Sequence, residues 1–380
     1  MNTFGEVNYF SCNKYYSVYP ISLTVFINLA PMKGFSSTSQ KNNIEVIISA
    51  NNIQKEIIME TKPEKHKKVL IFGAGTIGSY YTYKLNDANV DVTLLARGER
   101  YKYLKEHGVQ LINEITKVRY SSKIKVIDHI NPEEAFDFVV VIVCKNAHQA
   151  IIKQLSGLKN LKNIVFLGNN VLGFDAYIKD IDKEKLFFGF PHVGGTVKDQ
   201  IVYFTDKAEK RKSKPIIIGE MDGSVTARLK QFEDLLKQAS FNVDVVNDID
   251  GWLKYHAAFV LPLCYSLYKH NCDNYAVAKS KETLLEIVKT AKDAGNVLYS
   301  LGFKKRYPFK FNLFFWLPEK MTAKVIKEMF NNEYARAAFA LHASSAFDEF
   351  EELTKDFYRL IKESNIKTPN FDKLSAYLKE

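Results

Sequence analysis

The sequence predicts an α/β protein, with a doubly wound N-terminal sheet domain followed by an all-helical C-terminal domain. Three observations predict it. Gly73, Gly75 and Gly78 form G-x-G-x-x-G between an apolar run, Lys67–Phe72, and a stretch at helical spacing, Ser79–Asn86. Phe136–Cys144 reads FDFVVVIVC, an unbroken β-branched run of the kind buried on both faces of a parallel sheet. From Asp250 onward strand-like runs vanish and apolar residues recur at helical spacing, punctuated by Pro262, Pro308, Pro318 and Pro369.

The elements follow in order. Lys67–Phe72 reads as the first strand and Val90–Ala96 as the second. Arg97–His107 reads as a helix that Gly108 ends. Val109–Asn113 and Lys117–Ile127 are β-like. After Phe136–Cys144, Asn146–Leu158 is helical and Asn163–Leu167 is again a strand. Further strands are expected at Leu186–Phe190, Ile201–Phe204, Pro215–Gly219 and Val243–Val246, with a helix over Ser224–Ser240. Strands and helices alternating at these lengths predict a doubly wound unit over residues 67–247, with the helical domain over 248–380.

Composition narrows the class. A chain of 380 residues, 46% hydrophobic and 25% charged, is globular and long enough for two domains that each bury a core. The net charge of +10 comes from lysines scattered along the chain among acids, with no Arg-rich block. Such an excess reads as a solvated surface with a minor share for phosphate binding, so neither nucleic acid nor membrane is an expected partner. Cys12, Cys144, Cys264 and Cys272 show no CxxC spacing and no cluster with histidine, so no metal is expected and a reducing, cytoplasmic setting fits. Cys144, closing the apolar run, is expected to be a buried thiol.

Residues 1–66 differ from the rest. Tyr15–Met32 carries no charge, but Pro20, Ser22, Thr24 and Asn28 interrupt it, which fits neither a spanning helix nor a signal peptide. The segment is read as an extension outside the fold, with Met59 available as an alternative start. A weak targeting segment is the other reading.

The position of the glycine triplet gives it meaning. In a Rossmann-type unit the first Gly allows the tight turn and the second lets backbone amides approach a pyrophosphate. The third lets the helix pack on the strand. The helix start, Thr76 and Ile77, then offers free N–H groups to the phosphates. At the end of the second strand, where an acid would bind the ribose 2′-hydroxyl of NAD, the sequence has Leu95-Ala96-Arg97-Gly98-Glu99-Arg100. Arg97 suits the 2′-phosphate of NADP. Arg100 is either a second phosphate contact or a surface charge opening a helix.

These residues resemble the ketopantoate reductase (2-dehydropantoate 2-reductase) family over residues 67–380. The glycine element followed by VTLLARGER looks like its N-terminal signature. Lys145, in VVVIVCKNAHQA, matches a family lysine at the cofactor and substrate cleft. Asn169, in FLGNNVLG, matches an Asn near the nicotinamide, with Asn170 where the family has Gly. Trp252-Leu253-Lys254 matches the stretch with the catalytic lysine, and Pro262-Leu263 its downstream Pro-Leu. Glu349, placed by its distance to Pro369, matches a substrate-binding Glu. The resemblance implies an NADP-dependent oxidoreductase acting on a CH-OH/C=O couple. NADPH would reduce ketopantoate, in pantothenate biosynthesis, or a related 2-oxo acid. The expected cofactor site is Gly73, Gly75, Thr76, Ile77, Gly78, Arg97, Lys145 and Asn169. Lys145 and Ser344 are expected to bind substrate, and Lys254 and Glu349 to catalyse. A homodimer is left open.

The chain also departs from that family. Ala258 and Leu261 stand where it has substrate-binding Asn residues, and Ser344-Ser345-Ala346-Phe347 runs into Asp348-Glu349 without the usual loop. Glu351 or Glu352 could then take the part of Glu349. By residue type alone, Lys254 and Lys145 read as solvated lysines and Glu349 as part of the acidic face Asp348–Glu352. His256 reads as a packed or surface histidine, and His192 as a hydrogen-bonded loop histidine, with entry into the cleft as the alternative. Phe311, Phe314, Phe315 and Trp316 read as core or an interface. Two rival functions remain: a reductase of the same fold with another carbonyl substrate, and a non-catalytic NADPH-binding sensor.

Overall fold

The computed structural model describes residues 67–191, 193–206 and 214–378. The extension 1–66 with Met59, and His192, lie outside the described residues. Residues 65–380 form one compact unit.

Strand β1 (Lys68–Phe72) feeds the glycine turn and helix α1 (Thr76–Asp87). Then follow β2 (Asp91–Leu95), α2 (Gly98–His107), β3 (Val109–Asn113), β4 (Arg119–Ser122) and β5 (Lys125–Ile127). β6 (Phe138–Val141) leads through a 3₁₀ turn at Lys145–Ala147 into α3 (His148–Ser156) and β7 (Ile164–Leu167). The sheet region closes with β8 (Leu186–Phe190), β9 (Gly194–Lys198), β10 (Ile201–Thr205), β11 (Ile216–Gly219), α4 (Ala227–Gln238) and β12 (Val243–Val245). Among the described residues no strand follows β12. The helical region opens with α5 (Ile249–Lys269), whose N-terminus Asp248 caps by accepting the Gly251 N–H at 2.8 Å.

The main sheet has the order β12-β11-β8-β7-β6-β1-β2-β5, parallel throughout except between β8 and β11. The chain moves outward from β1 to β2 and β5, then returns to lay β6 on the other side of β1. That reversal makes a crevice at the carboxyl ends of β1 and β6, where open α/β sheets bind ligands. Alternate residues of β1 serve opposite faces. Val69 and Ile71 pack with Tyr80, Tyr81 and Leu85 of α1 and with Phe232 and Leu236 of α4. Leu70 and Phe72 pack with Ile151, Ile152 and Leu155 of α3. Helices thus cover both faces, the doubly wound arrangement the alternation predicts. The second core also takes in Ile249, Trp252 and Leu253 of α5, so the sheet and the helical region share apolar interior.

A second sheet, β4-β3-β10-β9, was not foreseen as a separate layer. The single β-like run Lys117–Ile127 splits, with β4 in the small sheet and β5 on the edge of the large one. β9 escaped the sequence reading because GGTVK has too few β-formers. Its Gly195 has φ +148°, and a Cβ there would sit 2.1 Å from the Tyr203 carbonyl and 2.9 Å from a Thr76 methyl. The hairpin is thereby pressed against the start of α1.

Tight backbone packing also sets the glycine turn. A Cβ on Gly78 would lie 1.8 Å from the Gly73 carbonyl oxygen. Gly78→Ala is expected to destabilise the fold by roughly 1–3 kcal/mol, the usual cost of overpacking, read as a lower urea midpoint. An unchanged midpoint would show that the turn yields freely.

Candidate active site

The glycine turn is closed at both ends and open in the middle. Gly73, at φ +120°, passes so close to β6 that a Cβ would meet the Ile142 carbonyl at 2.3 Å. Gly78 is equally confined. At Gly75 nothing lies within 4 Å of where a Cβ would stand. Gly75 is also the N-cap of α1 and provides no side-chain acceptor, so the first-turn N–H groups at Thr76 and Ile77 face a cradle rather than a cap. No acid occupies that turn. The geometry fits a phosphate group.

Arg97 lies beyond the end of β2, exposed, with its guanidinium 5.8 Å above the Phe72 ring and Nη2 donating to Gln154 Oε1 at 2.6 Å. It thus stands at the same crevice. Arg100 points inward instead. It donates to the Ala74 carbonyl at 3.1 Å, to Ser79 Oγ at 3.1 Å and to Gln200, so it is neither a surface charge nor free to extend like Arg97.

Residues 168–174, the loop leaving β7, gather the remaining candidates. Asn169 Nδ2 donates to Glu349 Oε1 at 2.9 Å across 180 residues of chain. Asn170, 3% exposed, accepts from Lys145 Nζ at 3.2 Å and donates to the Gly173 carbonyl at 2.7 Å. A Cβ on Gly173 would sit 3.7 Å from Lys254 Nζ and 3.6 Å from Asp250 Oδ1. One short loop therefore touches Glu349, Lys145 and Lys254. Sequence reasoning missed Asp250, although its i,i+4 spacing from Lys254 on one helix was a readable signal.

The two lysines are held differently. Lys254 is 4% exposed, forms an ion pair with Asp250, and lies 4.8 Å over the Phe303 ring. Lys145 has the neutral partners Asn170 and Tyr177, the latter at 3.1 Å. Burial lowers its pKa, opposed by Asp356 and Glu352. The Tyr177 hydroxyl accepts from Lys145, so its own proton goes to His148 Nδ1, 2.6 Å away. His148 is buried, and burial together with the Lys145 charge pushes its pKa down to about 3.

The acidic run also resolves on helix α6 (Phe347–Ser364). Glu349 faces Asn169 and Cys144, Glu351 pairs with Lys355 at 3.2 Å, and Glu352 faces Lys145 and Asp356. Cys144 is exposed rather than buried, because β6 ends at Val141 and leaves it beyond the sheet. Partial desolvation and the Glu349 carboxylate raise its thiol to about 11. Ser344 is exposed and its hydroxyl donates to the Leu341 carbonyl at 2.9 Å, so no described bond joins it to the cluster. Ala258 and Leu261 have no accessible surface and lie in the core. His256 packs between Phe190 and Trp252. Phe311 and Phe314 are core, whereas Trp316 is exposed.

Among the described residues no His/Cys/Asp/Glu group could hold a metal, and no helix is long and apolar enough to cross a membrane.

Residues 69–223 match the family model of ketopantoate reductase PanE/ApbA. The chain is 24% identical over 194 residues to an uncharacterised oxidoreductase of Bacillus subtilis, covering 50% of this chain and 61% of that one. It is 26% identical over 186 residues to a 2-dehydropantoate 2-reductase of Archaeoglobus fulgidus, covering 48% and 58%. Each match spans less than two thirds of the relative's length. In fold it is similar to a D-mandelate dehydrogenase solved with NADH and anilino(oxo)acetate. There the TM-score is 0.64 at 16% identity, covering 82% of this chain and 97% of that one.

His148 gives the site a pH signature. Its folded pKa lies below the unfolded value of about 6.5, so its contribution to stability is complete above that pH and is lost as pH falls toward about 3. Denaturation between pH 6.5 and 4.5 should show wild-type stability falling more steeply than that of His148→Gln, which cannot take up the proton. Parallel slopes would place the histidine in contact with water.

Proposed function

We propose that this chain, which belongs to the ketopantoate reductase PanE/ApbA family, is an NADPH-dependent reductase of ketopantoate or a related 2-oxo acid. The observation that carries the reading is the loop at residues 168–174. It brings two ammonium groups, a carboxylate and an orphan amide to the crevice beside the glycine turn.

When bound, NADPH supplies the hydride. The residues that would hold it are the cradle at Gly73, Gly75, Thr76, Ile77 and Gly78, with Arg97 toward the 2′-phosphate. Asn169 Oδ1 is buried and has no hydrogen-bond partner in the described structure. An unpaired buried acceptor is costly, so the site suits a ligand that brings a donor there.

The chain's own residues divide the remaining work. As hydride reaches the ketone carbon, negative charge grows on its oxygen. Lys254 answers with a positive charge and then a proton, and Asp250 holds the ammonium in place meanwhile. Lys145 hydrogen-bonds only to neutral groups, with the Asp356 and Glu352 carboxylates near it, and its charge would meet a substrate carboxylate. Glu349, tied to Asn169, orients a substrate hydroxyl or the product alcohol. Ser344 would join only after moving from Leu341.

Ala258 and Leu261 favour one substrate class within this reading. One turn beyond Lys254 the helix offers packed apolar residues and no amide. An Asn at position 258 would itself be buried among apolar neighbours, so this face cannot simply be restored by substitution. A 2-oxo acid with an apolar substituent fits better than one whose hydroxyl needs a partner. The D-mandelate dehydrogenase of similar fold was solved with anilino(oxo)acetate, an oxo acid with an aryl substituent.

NADPH consumption across a panel of 2-oxo acids should show turnover, with aryl and branched alkyl members ahead of ketopantoate. Binding without turnover of any member would favour the sensor reading. Lys254→Ala should bind NADPH and lose kcat by about 10²–10⁴-fold, the range for a positioned acid. Undiminished turnover would move the acid to Lys145. Arg97→Ala should weaken NADPH binding by roughly 1.5–3 kcal/mol, as for hydrogen bonds to charged groups, and leave NADH binding nearly unchanged. Equal losses would assign Arg97 another task.

A further inference from the structure

Arg100 is a half-buried cation whose described partners are all neutral. Nε donates to the Ala74 carbonyl at 3.1 Å and Nη2 to Ser79 Oγ at 3.1 Å. Nη1 donates to the Gln200 backbone carbonyl and, at 3.3 Å, to its side-chain oxygen. Ser79 Oγ in turn donates to the same Ala74 carbonyl at 3.1 Å. No carboxylate of the described residues forms an ion pair with Arg100, whereas Arg228, Arg336 and Arg359 each have one.

Each partner belongs to the walls of the glycine turn. Ala74 is the residue between Gly73 and Gly75, and Ser79 lies in the first turns of α1. Gln200 is at the tip of the β9–β10 hairpin, where Asp199 and Gln200 both have positive φ, +49° and +65°. A two-residue hairpin turn of this kind needs positive φ at both positions, which Asp tolerates and Gln seldom adopts. Arg100 takes both oxygens of Gln200 and so holds the hairpin tip in that shape. With the Ala74 carbonyl drawn toward the guanidinium, the turn's N–H groups are free to face the cradle at Gly75.

Burial lowers the pKa of Arg100, yet a guanidinium stays protonated. A desolvated charge with neutral partners is costly unless an anion offsets it. The adjoining cradle is built for one.

We propose that Arg100 sets dinucleotide affinity. It clamps the glycine turn through Ala74, Ser79 and Gln200, and it supplies the positive charge that the pyrophosphate of NADPH or NADH balances. This rests on the dinucleotide reading above but separates Arg100 from Arg97. Arg97 meets a group that only NADPH has, and Arg100 serves one that both cofactors share.

The test is binding, read by cofactor fluorescence and calorimetry on the full chain. Arg100→Gln should weaken NADPH and NADH by the same factor, roughly 10-fold or more for a lost charged interaction. Arg100→Lys keeps the charge without the fork and should fall between Gln and wild type. ADP should lose affinity in parallel, whereas adenosine, which has no phosphate, should bind Arg100→Gln as it binds wild type. Four results would overturn the proposal. Full dinucleotide affinity in Arg100→Gln removes Arg100 from the site and leaves the cofactor reading standing. A loss confined to NADPH makes Arg100 a second 2′-phosphate ligand. An equal loss of adenosine makes its role one of general structure. Wild-type protein that binds neither dinucleotide sinks both this proposal and the reading on which it rests.

Discussion

The structure depends on a backbone stack three layers deep. The Gly78 backbone lies on the Gly73 carbonyl, and the Gly73 backbone lies on the Ile142 carbonyl. A side-chain carbon at either position would overlap an oxygen, so α1, the end of β1 and the end of β6 can meet only through glycine. That meeting fixes the crevice at the reversal of strand order. It aims the start of α1 at one wall and places Cys144 and Lys145, which follow β6, on the other. The candidate site depends on this contact because its two halves come from segments of chain that reach the same place for no other reason.

Charge in that crevice is distributed unevenly. Lys254 is almost wholly buried and carries its own carboxylate on the preceding helical turn. Breaking such a buried pair by removing one partner is costly. Lys145 and Arg100 are partly buried as well, but they rest on amides, hydroxyls and carbonyls. Carboxylates do stand near Lys145, at Asp356 and Glu352, and they oppose the effect of its burial. Under the proposed reading a phosphate would lie beside Arg100 and a carboxylate beside Lys145. Asp250 keeps a charge in place, while the hydrogen-bond partners of the other two are neutral.

Much of this was legible in the sequence where spacing is local. The glycine turn, the strands on both sides of it and the change to helices near residue 250 follow from periodicities of two and 3.6. Ambiguity persisted where one residue type serves two geometries. Glu349, Glu351 and Glu352 cannot be ranked by composition, but α6 turns each toward a different neighbour. Arg100 stayed open between a phosphate contact and a surface charge, because an arginine two residues into a polar helix can be either. Its three anchors, Ala74, Ser79 and Gln200, converge only after the β9–β10 hairpin folds back. That hairpin was half invisible in turn, because Gly194 and Gly195 suppress the strand signal. Cys144 was misplaced for a related reason. Hydrophobicity extends past Val141, but hydrogen-bonded strand does not, and the last residues of the run leave the sheet.

Asn170 and Ala258 are two departures from one family pattern, and they are best understood together. An amide is absent from α5, where position 258 is now sealed in the core, and an amide is present in the loop after β7, where the family has glycine. The loop amide is already engaged at both ends, one by Lys145 and the other by the Gly173 carbonyl. It works on the protein. Asn170 ties the lysine after β6 to the turn at Gly173, which lies against Lys254 and Asp250.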